Sequence, residues 1–262
     1  IKRRHTLNDF IKEYWEKQGG IYEKSHKASW GDRYAIEIEI EEISKYIHQG
    51  NHVLDVGCAN GYSTFHYLNN NPKKIIGVDL AQSMITNAKA SANELKVEDR
   101  VFFEIGDVKK LKYANEIFDV SFTTRVLINI PTWSDQKIAI NELLRVTKKG
   151  GVVILSEAFY EPLVLLNSMR QLVNLPSLYE HDFNRYIKKA FLDKFLNENN
   201  YKYECKETSS VYYLGSRFLR ELVTEFDDYE GYSNPINEDF FQLGKKYSGG
   251  GFGIQQLYII YK

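Results

Sequence analysis

The run Val53-Leu54-Asp55-Val56-Gly57-Cys58-Ala59-Asn60-Gly61 constrains the fold more than any other part of the chain. A short β-type stretch enters a turn with two glycines, and helical sequence follows from Ser63 to Leu68. Glycines there allow a tight turn and let a ligand approach the backbone with no Cβ in the way. In an open α/β sheet such a turn lies at the carboxyl edge of the strands, where ligands bind. Dinucleotide sites need G-x-G-x-x-G to hold a pyrophosphate; this turn has only Gly57 and Gly61, with Asn60 between. Asp55, just before the turn, is badly placed against a phosphate. It is well placed to hold a cationic, methionine-like group.

The same rhythm repeats downstream. Lys74 to Asp79 reads as a second strand, Ser83 to Leu95 as a helix and Arg100 to Ile105 as a third strand. Ile117 to Thr123 reads as a fourth strand. A helix capped by Ser134 runs through Val146, and Gly151 to Ser156 is the fifth strand. Strands alternating with helices imply right-handed crossovers and a doubly wound parallel sheet. Upstream, Phe10, Ile11, Tyr14 and Trp15 sit at helical spacing, and Ile36, Ile40, Ile43 and Ile47 share one helical face. Residues 36–41 also alternate like a strand, but the longer period favours a helix.

The last hundred residues are less regular. Phe183 to Asn197 and Arg217 to Phe226 read as helices, Tyr201 to Tyr213 contains strand-like sequence, and Gln256 to Tyr261 is a closing strand. The loop Gly249 to Gly253 is expected to be the turn into that strand rather than a mobile lid. The chain is expected to be one domain, 1–262: an arm over 1–50, a ligand-binding core over 51–157, and remaining sheet with a substrate-side insertion over 158–262.

A net charge of −1 over 262 residues counts against an extended nucleic-acid surface. Cys58 and Cys205 are the only cysteines, so a disulfide framework is not expected and a reducing cytoplasm is. Neither a membrane span nor a secretory signal is expected from the stretch that follows Ile1-Lys2-Arg3-Arg4-His5. No Cys/His spacing suggests a metal.

Two further strand ends carry carboxylates. Asp79 can accept hydrogen bonds from both ribose hydroxyls, as the acidic residue of nucleotide-binding α/β folds does. Asp107, after the third strand, can accept from an adenine amine while the Val108 amide meets a ring nitrogen. Leu80 and Met84 are expected to supply apolar contact to the adenosine. Singly these are common caps and turn residues; three in order at successive strand ends are hard to explain that way.

Together with Phe118-Asp119-Val120-Ser121-Phe122 and Leu143 to Gly151, these motifs resemble those of class I S-adenosylmethionine-dependent methyltransferases over about residues 50–157. The resemblance implies a Rossmann-like, seven-stranded sheet, mostly parallel with an antiparallel last strand. It also implies S-adenosylmethionine as cofactor and S-adenosylhomocysteine as product. Carried over, the glycine turn with Gly57, Asn60 and Gly61 cradles the methionine part, Asp79 the ribose and Asp107 the adenine. Asp55, Cys58 and Thr124 complete the expected cofactor wall.

The family places its acceptor between strand ends four and five and a lid formed by arm and insertion. Relatives often carry His where this chain has Asn129, and Asn is no base at neutral pH. Arg125 is read as a cofactor or substrate carboxylate ligand, or alternatively as an ion-pair residue. The arm from Tyr22 to Tyr34 resembles that of methyltransferases in bacterial cell-surface polysaccharide pathways. It offers Tyr22, Trp30 and Tyr34 as walls, Lys24, Lys27 and Arg33 as anion ligands, and His26 as general base. The plainer reading is a packed arm with solvated charges. Tyr213 and Arg217 are expected at the acceptor, Arg217 on an anion.

The catalytic expectation is thus His26, Tyr22 and Arg125, acting on an O or N of a small polar metabolite, anionic or neutral, such as a sugar phosphate or a sugar. A nucleic-acid or protein methyltransferase and a non-catalytic cofactor-binding module are the alternatives. The sequence leaves the oligomeric state open.

Overall fold

A computed structural model describes residues 7–224 and 231–262; the charged start at residues 1–5 and the expected helix end at Phe226 lie outside them. The chain enters through helix α1 (Leu7–Tyr22) and a short 3-10 turn at His26–Ala28, then helix α2 (Arg33–Ser44). The α/β core follows as β1 (His52–Val56), α3 (Tyr62–His66), β2 (Lys74–Asp79), α4 (Gln82–Leu95), β3 (Val101–Ile105), β4 (Phe118–Thr124), α5 (Trp133–Val146) and β5 (Thr147–Ala158). The remainder comprises α6 (Tyr160–Leu172), α7 (Lys189–Glu198), β6 (Lys202–Lys206), α8 (Ser210–Leu214), a π-helical turn at Gly215–Leu219, α9 (Arg220–Val223), α10 (Ile236–Lys246) and β7 (Gln255–Tyr261).

The seven strands form one sheet in the order β3-β2-β1-β4-β5-β7-β6. The pairs from β3 across to β5 are parallel, and β7 runs antiparallel to both β5 and β6. This is the Rossmann-like sheet, with its antiparallel last strand, that the motifs implied.

Two-residue periodicity divides the core between the two sheet faces. Leu54, Val153, Leu155, Tyr258 and Ile260 pack with α5 and α7. Val53, Ile154, Leu257 and Ile259 pack against the isoleucines of α2 and against Ile85 of α4. The helical reading therefore prevails over the strand-like alternation for Ile36, Ile40 and Ile43, while Ile47, past the end of α2, joins the same cluster from the following turn. Ile38 points elsewhere, into a third cluster with Leu163, Leu166, Tyr212, Tyr213, Phe218 and Phe241.

The C-terminal third departs most from expectation. The helix expected from Phe183 starts at Lys189, and the strand-like stretch 201–213 divides into β6 and α8. In α8, Tyr212 and Tyr213 are drawn into the third cluster, so tertiary burial overrides their strand preference. The glycine loop is a pinned turn: the Gly251 and Gly253 amides donate to Glu207 at 3.2 and 2.9 Å, and the Phe252 amide donates to Ser210 at 2.9 Å. Among the described residues no helix is long and apolar enough to cross a membrane.

Candidate functional site

Gly57 and Gly61 have φ of 82° and 80°. A Cβ on Gly57 would lie 2.0 Å from Val126 Cγ2, and one on Gly61 2.8 Å from Phe103 Cζ. Bare backbone is thus built into the turn. Around it opens a cavity of about 320 Å³ lined by Asp55, Gly57, Cys58, Ala59, Asn60, Asp79, Leu80, Asp107, Val108 and Thr124. Ile11, Lys12 and Trp15 of α1 close it from the arm side.

The three strand-end carboxylates differ in environment. Asp55 is buried and accepts from the Thr64 hydroxyl at 2.6 Å. Burial first, and then the Asp79 charge, push its carboxyl up to about 7 against the lowering effect of Thr64. Asp79 accepts the Ala59 and Ala81 amides, each at 2.9 Å, yet burial still raises it to about 6. Among the described residues neither carboxylate has a cationic ion-pair partner that would hold it ionised. A ligand supplying hydroxyl donors or positive charge fits that deficit. Asp107 is exposed and spends Oδ1 on the Lys109 amide at 2.8 Å.

Two cofactor expectations change on inspection. Met84 is fully buried with Ala28, Ala59 and Ala81 and does not line the cavity, because α4 turns it beneath the glycine turn; the apolar contact falls to the half-exposed Leu80. Asn60 borders the cavity, but its side-chain amide donates to the Glu23 and Ser25 carbonyls at 2.7 and 2.8 Å. Its side chain tethers the arm to the glycine turn.

A second cavity of about 310 Å³ shares Trp15, Ser29, Arg125 and Asn129 with the first. Its walls include Trp30, Tyr186, Tyr213, Arg217 and Tyr232, together with His181 and Asn184. A third, of about 510 Å³, shares Trp15 and Ser29 with both and Tyr14, Trp30 and Tyr232 with the second, and is lined besides by Tyr22, His26, Lys27, Arg33 and Tyr34.

The expected catalytic pair Tyr22 and His26 borders the third cavity and neither of the first two. His26 sits over Tyr62 at 5.7 Å between ring centres, and its pKa is lowered by burial, then by Lys27 and Arg33. Arg33 is exposed and paired with Glu37 at 2.6 Å one helical turn on. Tyr34 packs on Phe241 at 5.0 Å. Ser29 and Trp30, just after the 3-10 turn at His26–Ala28, line both this cavity and the second one.

Both arginines of the inner site have their charge met. Arg125, at φ 57°, pairs with buried Glu39 and stacks over Trp30 at 4.7 Å. Glu39 also accepts from Gln255 at 2.7 Å. Arg217, in the π-helical turn, pairs with fully buried Asp32, which also accepts from the Tyr212 hydroxyl at 2.6 Å. The ion-pair alternative for Arg125 is the arrangement seen, and Arg217 is no free anion ligand.

Sequence reasoning missed His181, Asn184 and Tyr186, which sit in the irregular segment before α7 where no periodicity marks an inward side chain. It also missed Glu157. This buried residue near the end of β5 accepts the Val126 and Leu127 amides at 3.1 Å and the Ile128 amide at 3.4 Å. It thereby fixes the loop after β4 that carries Arg125 and Asn129.

With one tight glycine turn, no pyrophosphate loop and acidic residues at three successive strand ends, the protein falls among the nucleoside-binding Rossmann-like α/β proteins. Residues 47–210 match the model of the methyltransferase domain, and the chain belongs to that family, the class I S-adenosylmethionine-dependent methyltransferases. S-adenosylmethionine is its cofactor. An uncharacterized methyltransferase of Schizosaccharomyces pombe is 31% identical over 144 residues, 53% of this chain and 48% of that protein. The 27-O-demethylrifamycin SV methyltransferase of Amycolatopsis mediterranei is 29% identical over 113 residues, 43% of this chain and 40% of that protein. The matched stretch thus spans about half the length of these curated relatives or less.

Among solved structures, geranyl diphosphate C-methyltransferase of Streptomyces coelicolor aligns with a TM-score of 0.62 and 12% identity, over 97% of each chain. A Haloferax volcanii methyltransferase solved with a methyltransferase activator aligns at 0.62 and 15% identity, over 94% of this chain and 96% of that one. At these identities the structures show the shared fold.

Proposed function

We propose that the chain transfers a methyl group from S-adenosylmethionine to an oxygen or nitrogen of a small uncharged acceptor bound in the aromatic cavity beside the cofactor. One observation carries this reading: the two inner cavities share a wall at Arg125 and Asn129, where β4 ends. The cofactor supplies a methyl already activated for displacement, so the protein's work is alignment and the exclusion of water. Gly57 and Gly61 hold bare backbone toward the methionine part, Asp79 takes the ribose hydroxyls, and Asp107 with Val108 takes the adenine. Trp15 and Trp30 exclude water from the shared wall.

An acceptor O–H or N–H that took up the methyl would have to give its proton to a group of this chain or to water. Among the described residues lining the acceptor cavity, His181 is the histidine, and a neutral imidazole nitrogen can accept that proton. It replaces His26 as the proton-accepting group in this reading.

The finer acceptor class rests on charge. With Arg125 and Arg217 already paired, an uncharged ring compound, such as a neutral sugar of surface-polysaccharide synthesis, suits the cavity better than a sugar phosphate. Relatives bear names as different as the rifamycin enzyme and phosphoethanolamine N-methyltransferase 3 of Arabidopsis thaliana, so membership of the family does not choose the acceptor.

The test is calorimetric titration of wild type and Asp79→Ala with S-adenosylmethionine and S-adenosylhomocysteine. Micromolar binding that collapses in the variant is expected. A folded wild type that binds neither overturns the reading.

A further inference from the structure

The loop between β4 and α5 touches both sites, and its backbone is held by side chains from other elements. Arg125 takes a positive φ of 57°, and its amide makes the last bond to β5, donating to the Ser156 carbonyl at 2.8 Å. The next three amides, of Val126, Leu127 and Ile128, converge on the buried Glu157 carboxylate. Successive amides turned to one side in this way make an anion-binding nest, and the anion here belongs to the protein.

Gln136 of α5 serves the carbonyls. It is buried, and its Nε2 donates to the Leu127 carbonyl at 3.0 Å, the Ile130 carbonyl at 3.3 Å and the Arg185 carbonyl at 3.0 Å. The side-chain amide cannot be reversed, because exchanging nitrogen for oxygen would set acceptor against acceptor at all three contacts. Two of these carbonyls lie in the loop. The third belongs to residues 181–187, a stretch that includes His181, Asn184 and Tyr186 of the acceptor cavity. From that stretch the Arg185 amide returns a bond to the Ile128 carbonyl at 2.7 Å. Gln136 and the Arg185 backbone thus clamp the acceptor wall onto the loop.

At its other end the loop rests on the glycine turn. Val126 Cγ2 fills the space that a Cβ on Gly57 would need, 2.0 Å from that position. A shift of the turn is therefore met at Val126, and Glu157 makes Val126, Leu127 and Ile128 move together. No residue of 181–187 lines the cofactor cavity, and Gln136 lines neither that cavity nor the acceptor cavity.

We propose that Gln136 is a positioning residue that ties the acceptor wall to the cofactor turn, so that bound cofactor holds residues 181–187 more firmly in place for the acceptor. It acts through the loop: Gly57 on Val126, Val126 to Ile128 on Glu157, and Leu127, Ile128 and Ile130 on Gln136 and Arg185. A contiguous chain of packing and hydrogen bonds of this kind can carry coupling between two sites. The inference rests on the methyltransferase reading above and adds to it a residue that neither ligand touches.

The Arg185 amide proton reports on the junction directly. Its exchange is followed by NMR in the whole chain, with and without saturating S-adenosylhomocysteine. The rate is read relative to the Gly150 amide, which donates to the Lys262 carbonyl at 2.7 Å at the opposite edge of the sheet, so that general stabilisation by the ligand cancels. In wild type the ligand is expected to slow Arg185 exchange about tenfold on that scale, an ordinary coupling between two sites. Gln136→Met keeps the side chain's length and loses its donors. There the slowing is expected to fall to about twofold or less, while affinity for S-adenosylhomocysteine by calorimetry stays within about twofold of wild type. A residue that merely supported the fold would lower the urea midpoint and leave the slowing intact. Gln136→Leu is the second variant should the first fail to fold, and the wild-type comparison tests the coupling by itself. No slowing in wild type, or equal slowing in wild type and variant, overturns the inference. A folded wild type that does not bind S-adenosylhomocysteine overturns the methyltransferase reading instead.

Discussion

The carboxylate of Glu16 in α1 accepts the Ser83 amide at 2.8 Å and the neighbouring Gln82 amide at 2.7 Å, capping a helix from another part of the chain. Helix α4 needs this, because its own N-cap residue is Ala81, which has no side-chain acceptor. The Ser83 hydroxyl returns a bond to the Glu16 carbonyl at 2.9 Å. The arm that roofs the cofactor cavity is therefore held by the cap of the helix that follows Asp79.

Glu16→Ala is expected to cost about 1 kcal/mol of stability, the usual worth of a cap. It should cost more in cofactor affinity, since Trp15 and Ile11 roof the cavity from the same helix. Hydrogen exchange should show α1 amides losing protection before those of β1. Uniform loss across the protein would count against the arm as a separately held element.

Gly57→Ala should abolish cofactor binding while leaving a folded protein. Its Cβ would meet Val126 Cγ2 at a positive φ, so either the turn or the loop after β4 must move. Gly50→Ala has a comparable φ of 83° but open space around it. It should show the backbone strain alone, with cofactor affinity intact by calorimetry.

Affinity for S-adenosylhomocysteine should fall as pH drops below about 6, approaching tenfold per unit for one proton taken up. Burial raises Asp79 to about 6 and Asp55 to about 7, and ribose hydroxyls are received by the ionised carboxylate. The sign for stability is opposite. Both groups titrate in the ligand-free fold above their unfolded value of about 4. Their protonated forms thus contribute stability that is present below pH ~4 and lost as pH rises through 6 and 7. Asp79→Asn should flatten part of both profiles; a wild-type affinity constant from pH 5 to 8 would refute the assignment.

Asp32→Ala should be among the most damaging single changes, on the order of 3–5 kcal/mol, because it strands the buried Arg217 charge and removes the partner of the Tyr212 hydroxyl. Arg33→Ala, one residue along, breaks an exposed pair with Glu37 and should cost about 1 kcal/mol or less. Urea midpoints separate the two, and equal shifts would mean the buried pair contributes nothing special.

His181→Gln should lower turnover with a hydroxyl acceptor by about a hundredfold or more. His26→Gln, on the third cavity, should lower it far less. Release of S-adenosylhomocysteine measures both. A larger loss in His26→Gln would restore the arm histidine to the reaction.

The cofactor side was legible in the sequence because each of its parts is contiguous: a strand, its end and the next few residues. Once β1, β2 and β3 lie side by side, parallel pairing must bring Gly57, Asp79 and Asp107 to one edge. Met84 escaped this logic because a helix position one residue away faces a different neighbour, which the strand pattern does not report.

The acceptor side was not legible. The partners that decide it are far apart in sequence: Asp32 with Arg217, and Glu39 with Arg125. Read locally, each is an acid or a base of unknown employment, and His26 in a dense aromatic arm looks better placed than His181 in an irregular loop. Only packing shows that Tyr22 and His26 line a different cavity from His181 and that two arginines are neutralised. The sequence by itself determined the doubly wound sheet and the cofactor edge, since backbone pairing and local turn chemistry suffice for both. Tertiary structure decided the charge and hydrogen-bonding character of the acceptor cavity, since desolvation and partner choice exist only once distant segments are packed together.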